Sequence, residues 1–156
     1  MTFEEWLRSV PPELTGDPLW QMKVYRLAIF AGDLAWPDVS KLLRDKRTVS
    51  LADQLYRAIG SISANIAEGY SRRSRKDQAR FYEYALGSAR EARGWYYQGR
   101  FVLSEAVALH RRKLLTQVIR LLLTIIPGER GYRIAEARVP YGDLNETGLL
   151  DNPPMP

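Results

Sequence analysis

Apolar residues recur at steps of three and four in four separate segments of this chain, the spacing of one helix face, and no alternating pattern competes with it. The first segment opens at Asp17-Pro18, an N-cap residue followed by proline at the first helical position. It places Trp20, Val24, Leu27, Ala28, Ala31 and Leu34 on one face, and Trp36-Pro37 marks its expected end. After a connection over 37–50, Ser50-Leu51-Ala52-Asp53 resembles a capping arrangement. The second stripe is Leu51, Leu55, Ala58, Ile59, Ile62 and Ile66, with Gly69 expected to stop the helix in the left-handed conformation that glycine tolerates. Ser74-Arg75-Lys76-Asp77 caps the third and longest helix. Its core stripe is Phe81, Ala85, Ser88, Ala89, Ala92, Trp95, Gly99 and Val102, flanked by Tyr82, Tyr84, Leu86, Tyr96 and Tyr97. Gly87, Gly94 and Gly99 each cost roughly 1 kcal/mol against alanine inside a helix, so close packing on a neighbour is expected there. Ser104 caps the fourth helix, whose face is Val107, Leu114, Val118, Leu121, Leu122 and Ile125 and which ends at Pro127-Gly128.

Four such helices joined by mostly short turns must bury their stripes on one another. The expected fold class is therefore all-α, an antiparallel up-down-up-down four-helix bundle over 17–127. Residues 1–16 form an N-terminal extension with a short helix around Phe3, Trp6 and Leu7, and residues 128–156 form a C-terminal tail, extended or disordered unless a partner orders it.

Several function classes drop out early. The chain has no cysteine, which removes disulfides, zinc–thiolate sites and thiol nucleophiles and fits a reducing cytoplasm. The start of the chain does not have the pattern of a signal peptide, and the longest apolar run, "LLLTIIP", is too short for a bilayer, so a soluble protein without a membrane partner is expected. The single histidine, His110, is preceded at the Glu-x-x-His spacing by Val107, so a bundle di-metal site is not expected. No Ser-His-acid set or glycine-rich phosphate loop is in view, and the expectation is no enzyme, no catalytic residue, no metal and no cofactor.

Charge is the remaining signal. Residues 17–127 carry 19 Lys and Arg against 10 acids, whereas both ends are mildly acidic. A basic body attracts anionic partners. Arg72, Arg73, Arg75 and Lys76, with Arg80 one turn further on, gather guanidinium groups suited to phosphate oxygens beside a helix N-terminus. Arg111, Arg112 and Lys113 form a second set toward the opposite end, and Arg120 lies nearer the first. Such dispersion suits backbone contact rather than base readout; a solvated turn has the same composition. Asn65, Glu68 and Gly69 are assigned to structuring the turn, with Glu68 bonding to Arg72, Arg80 or Ser88. The aromatics Tyr82, Tyr84, Trp95, Tyr96, Tyr97 and Phe101 suit a core or subunit interface before base stacking.

The stretch "QLYRAIGSISANIAEGYSRRSRKDQARFYEYALGSARE", residues 54–91, resembles a bacterial four-helix bundle family. That family includes proteins encoded by intervening sequences of the large-subunit ribosomal RNA gene, and its relatives include accessory variability proteins of diversity-generating retroelements. The shared pattern is "S-I-x-A-N-I-A-E-G", then Arg and Ser, then "G-S-x-x-E"; Ser63 stands where many members have proline. The likeness extends more loosely over 17–127. It implies a ring-like homopentamer without known catalytic activity and, in the retroelement branch, binding to nucleic acid and a reverse transcriptase. The expected function is a non-enzymatic oligomeric bundle that binds RNA or DNA backbone, with a protein-only interaction scaffold as the alternative.

Overall fold

The computed structural model describes residues 1–130 and 148–156, with side chains through Ile126 and from Gly148 onward. Every regular element among the described residues is helical. In chain order these are α1 (Phe3–Ser9), α2 (Pro12–Thr15), a 3₁₀ turn (Pro18–Gln21), α3 (Lys23–Leu42), α4 (Val49–Tyr70), α5 (Arg75–Gln98), α6 (Arg100–Leu103) and α7 (Glu105–Arg130). Helix α3 packs on α4 and α7, and α5 packs on the same two helices from the other side.

The apolar stripes explain this packing. Every residue of the first expected face is buried, as are Leu55, Ala58, Ile59, Ile62 and Ile66 on α4. On α5 the buried line runs Ala79, Tyr82, Ala85, Leu86, Ala89, Ala92 and Tyr96, so the face is rotated from the expected stripe toward its tyrosine flank. Phe81, Ser88 and Trp95 sit half-buried at its edge. Gly99 is close to Leu42 and Leu51, but an added Cβ at Gly87 or Gly94 would meet nothing within 4 Å, so the expected tight packing holds for Gly99 alone of the three.

Helix boundaries depart from expectation where tertiary contacts outweigh local signals. Asp17 caps the 3₁₀ turn, accepting from the Leu19 N–H at 2.8 Å, and α3 begins only at Lys23. Pro37 does not end it. Proline in a helix interior costs about 3 kcal/mol, yet α3 continues through it, and the turn beyond buries Leu42 and the ion-paired Asp38. Thr48, not Ser50, precedes α4, and its hydroxyl donates to the Leu42 carbonyl at 2.6 Å. The third expected helix breaks at Gly99, and α6 intervenes before Ser104, whose φ of 97° turns the chain into α7. Helix α7 runs past Pro127-Gly128 to Arg130.

Both ends join the core. The ring of Trp6 packs 5.0 Å from Phe30 and 6.0 Å from Trp20, and its Nε1–H donates to Asp33 at 2.6 Å. The Phe3 N–H donates to the Leu150 carbonyl at 2.8 Å, bringing the chain's two ends together. Of the expected C-terminal tail, 131–147 lie outside the described residues, while Leu149 and Pro153 are buried.

Candidate nucleic-acid interface

Helix α4 ends where Ser71 and Arg72 turn back to bond the Ala67 and Gly69 carbonyls, each at 3.1 Å. Gly69 lies within α4, and its requirement is space rather than handedness. A Cβ there would come 2.8 Å from the Tyr82 ring and 3.1 Å from the Gln78 carbonyl, so glycine lets α5 approach. The turn is then fixed from three sides. Glu68 pairs with Arg72 one helical turn later, Gln78 Nε2 donates to the Arg72 carbonyl at 2.9 Å, and the Ser74 hydroxyl accepts from the Asp77 N–H at 3.2 Å. Asn65 acts a turn earlier. Its Nδ2 donates to the Ser61 carbonyl and hydroxyl at 2.8 and 2.9 Å, and the Ser88 hydroxyl reaches the same Ser61 oxygen at 3.1 Å, which ties α4 to α5.

The first basic set is thereby sorted. Arg72 is engaged by Glu68, and Arg80 lies 3.4 Å from Asp77; their guanidinium groups sit 4.8 and 5.4 Å from the Phe81 ring centroid. Arg73, Arg75 and Lys76 are exposed and make no ion pair among the described residues. The turn thus presents three uncommitted cations on a rigid support.

The second set is divided. Arg112 pairs with Glu105, which also lies 4.0 Å from Arg100, and Arg112 further donates to the Ala108 carbonyl at 3.2 Å. Lys113 is half-exposed beside it. Arg120 borders a small depression of about 110 Å³ with Lys23 of α3, Gln117, Leu121 and Thr124.

Arg111 does not belong to the expected surface set. Its side chain is 1% exposed and bonds Asp38 through Nε at 2.7 Å and Nη2 at 3.2 Å, so it is not available to a surface ligand. Around this pair the Tyr96 hydroxyl donates to Asp38 at 2.9 Å, and Arg111 also donates to the Pro154 carbonyl at 2.9 Å. Burial first, and then the Asp38 charge, push the Tyr96 phenol well above its usual pKa. Arg111 Nη1 donates to His110 Nδ1 at 2.8 Å, which leaves Nε2 as the protonated ring nitrogen facing the Leu149 carbonyl at 2.7 Å. Burial, reinforced by the Arg111 and Lys113 charges, brings the His110 pKa down to about 4. The signal for this was in the sequence: Arg111 stands four residues after Val107 and three before Leu114, inside the buried stripe.

Tyr82 and Tyr96 belong to the core, whereas Tyr84, Tyr97 and Phe101 are exposed, Phe101 at 83%. Arg100 lies over both the Tyr97 and Phe101 rings, at 4.0 and 4.1 Å. Among the described residues no group of three or more His, Asp or Glu could hold a metal ion, and no helix is long and apolar enough to cross a membrane.

Comparison with known proteins agrees with this architecture. A crystal structure of a protein of unknown function from the S23 ribosomal protein family of Bacteroides thetaiotaomicron superposes with a TM-score of 0.62. The alignment covers 66% of this chain and 97% of that one at 22% identity, a level that speaks for the fold alone. No curated protein matches the chain. The family model of the 23S rRNA-intervening sequence protein matches residues 21–123, which hold α3, α4, α5, α6 and most of α7. The chain belongs to the 23S rRNA-intervening sequence protein family.

Proposed function

We propose that this protein is a non-enzymatic, cytoplasmic, oligomeric helical bundle that binds nucleic acid, RNA foremost, through backbone phosphates. The observation that carries it is the capped turn between α4 and α5, where Arg73, Arg75 and Lys76 stand exposed and unpaired beside the N-terminus of α5. Guanidinium and ammonium groups there meet phosphate oxygens, and the helix end adds N–H donors and positive dipole. The family's description as an rRNA-intervening sequence protein supports RNA as the polymer. The contacts Ser61 to Ser88 and Gly69 to Tyr82 support an antiparallel α4–α5 pair and, with it, the up-down-up-down bundle. A homopentamer and a role beside a reverse transcriptase belong to the same proposal and rest on the resemblance of residues 54–91.

A second reading, a scaffold binding protein alone, draws on the exposed aromatic side chains Trp36, Tyr84, Tyr97 and Phe101. Salt separates the two. Polarisation titrations with structured RNA and duplex DNA should show affinity falling steeply with salt, because each phosphate neutralised releases counterions. Absence of binding at low salt would leave the scaffold.

A further inference from the structure

At the C-terminal end of α3 lies an open cleft of about 640 Å³, bordered by Trp36, Lys41, Arg44, Val102, Met155 and Pro156. We propose that this cleft receives an unpaired nucleotide of a single strand, its base against the Trp36 indole and its phosphate on Lys41 and Arg44; this rests on the nucleic-acid reading above.

Three features build the site. Trp36 is 66% exposed, in contrast to Trp6 and Trp20 at 2% and 7%, so its ring is a surface platform held edge-on by Tyr56 at 6.0 Å. Every base offers a face for stacking on such a ring, which makes the contact tolerant of sequence. Second, the cations are uncommitted. Lys41 and Arg44 make no ion pair among the described residues, because the neighbouring carboxylate, Asp45, is held by Arg47 at 2.6 Å. Those Arg47 hydrogen bonds bring the Asp45 pKa down to about 2, so this carboxylate at the cleft's edge stays ionised and paired with Arg47. The carbonyls at the end of α3 are also satisfied, Leu42 by the Thr48 hydroxyl and Lys41 by the Arg44 N–H at 3.1 Å. The basic side chains are thus left for a ligand.

Third, the wall opposite α3 is anchored next to the cleft. Met155 and Pro156 line the cleft together with Trp36 and follow Pro154, whose carbonyl accepts from buried Arg111 at 2.9 Å. At 1.5 Å rise per residue, Lys41 stands about 8 Å along α3 from Trp36, and Arg44 lies in the turn just past the helix end, which separates a stacking end from a phosphate end. The volume falls within the roughly 300–1,000 Å³ of small-molecule sites.

The test uses the full chain, a labelled single-stranded oligonucleotide about ten nucleotides long, a duplex of the same sequence, and uridine monophosphate. The single strand is expected to quench tryptophan emission, with the quench gone in Trp36→Leu. Its affinity should drop about tenfold in Trp36→Leu and in Lys41→Ala/Arg44→Ala, while duplex affinity stays within about twofold. Quenching by the monophosphate at the oligonucleotide's own affinity would overturn the single strand as ligand and leave a free nucleotide in its place. Unchanged single-strand affinity in both variants would overturn the cleft while sparing the nucleic-acid reading. Failure of the parent protein to bind either polymer would overturn both.

Discussion

Arg111 of α7 and Asp38 of α3 form an ion pair with Nε 2.7 Å from Oδ2, and neither side chain reaches solvent. Tyr96 of α5 bonds the same carboxylate, so one buried network joins three helices, and through the Pro154 carbonyl it also holds the C-terminal residues.

Removing one partner leaves the other charge buried and alone. Asp38→Ala is expected to cost about 3–5 kcal/mol in urea denaturation, and the pair Asp38→Leu with Arg111→Met to cost clearly less. Equal losses in the single and double variants would show that packing at these positions, not the ion pair, sets the penalty.

His110 gives a pH signature. Its folded pKa is about 4, below the ordinary value of 6.5, so the unfolded chain takes up the proton first as pH falls. This contribution to stability is fully present above about pH 6.5 and is lost progressively down to about pH 4, below which the slope flattens. Comparing unfolding free energies of the parent and His110→Gln across that window should show the parent falling more steeply. Parallel curves would contradict the assignment of a neutral, Nε2-protonated ring.

Two glycines of α4 should respond in opposite directions. Gly69→Ala puts a methyl 2.8 Å from the Tyr82 ring, and overpacking of that kind costs about 1–3 kcal/mol. Gly60 faces open space within the same helix, so Gly60→Ala should stabilise by about 0.5–1 kcal/mol through helix propensity. Thermal melts of the two variants decide it.

The stripes of α3, α4 and α7 and the Ser74 cap were legible because period and capping are local properties. Arg111 was misplaced for two linked reasons. A charge next to Arg112 and Lys113 reads as surface, and its partner lies 73 residues away, just beyond a proline expected to end the helix. Once Pro37 is allowed inside α3, Asp38 faces inward and the arginine has a reason to be there. The exposed turn at Arg73, Arg75 and Lys76 was legible as a charge run; that Glu68 and Asp77 would engage Arg72 and Arg80 but leave these three uncommitted depends on side-chain geometry. The basic cleft at Lys41 and Arg44 was hidden because one of its walls comes from residues 155 and 156.

The most direct measurement is the salt dependence of RNA affinity in the parent and in Arg73→Ala/Arg75→Ala/Lys76→Ala, with helicity checked by circular dichroism. Every phosphate that the protein ceases to neutralise makes the slope of log K against log salt shallower by about 0.7–0.9. The triple variant should therefore bind more weakly at low salt, with a slope shallower by about 2–3 and helicity intact. The same affinity and slope in both proteins would contradict a phosphate-binding role for this turn.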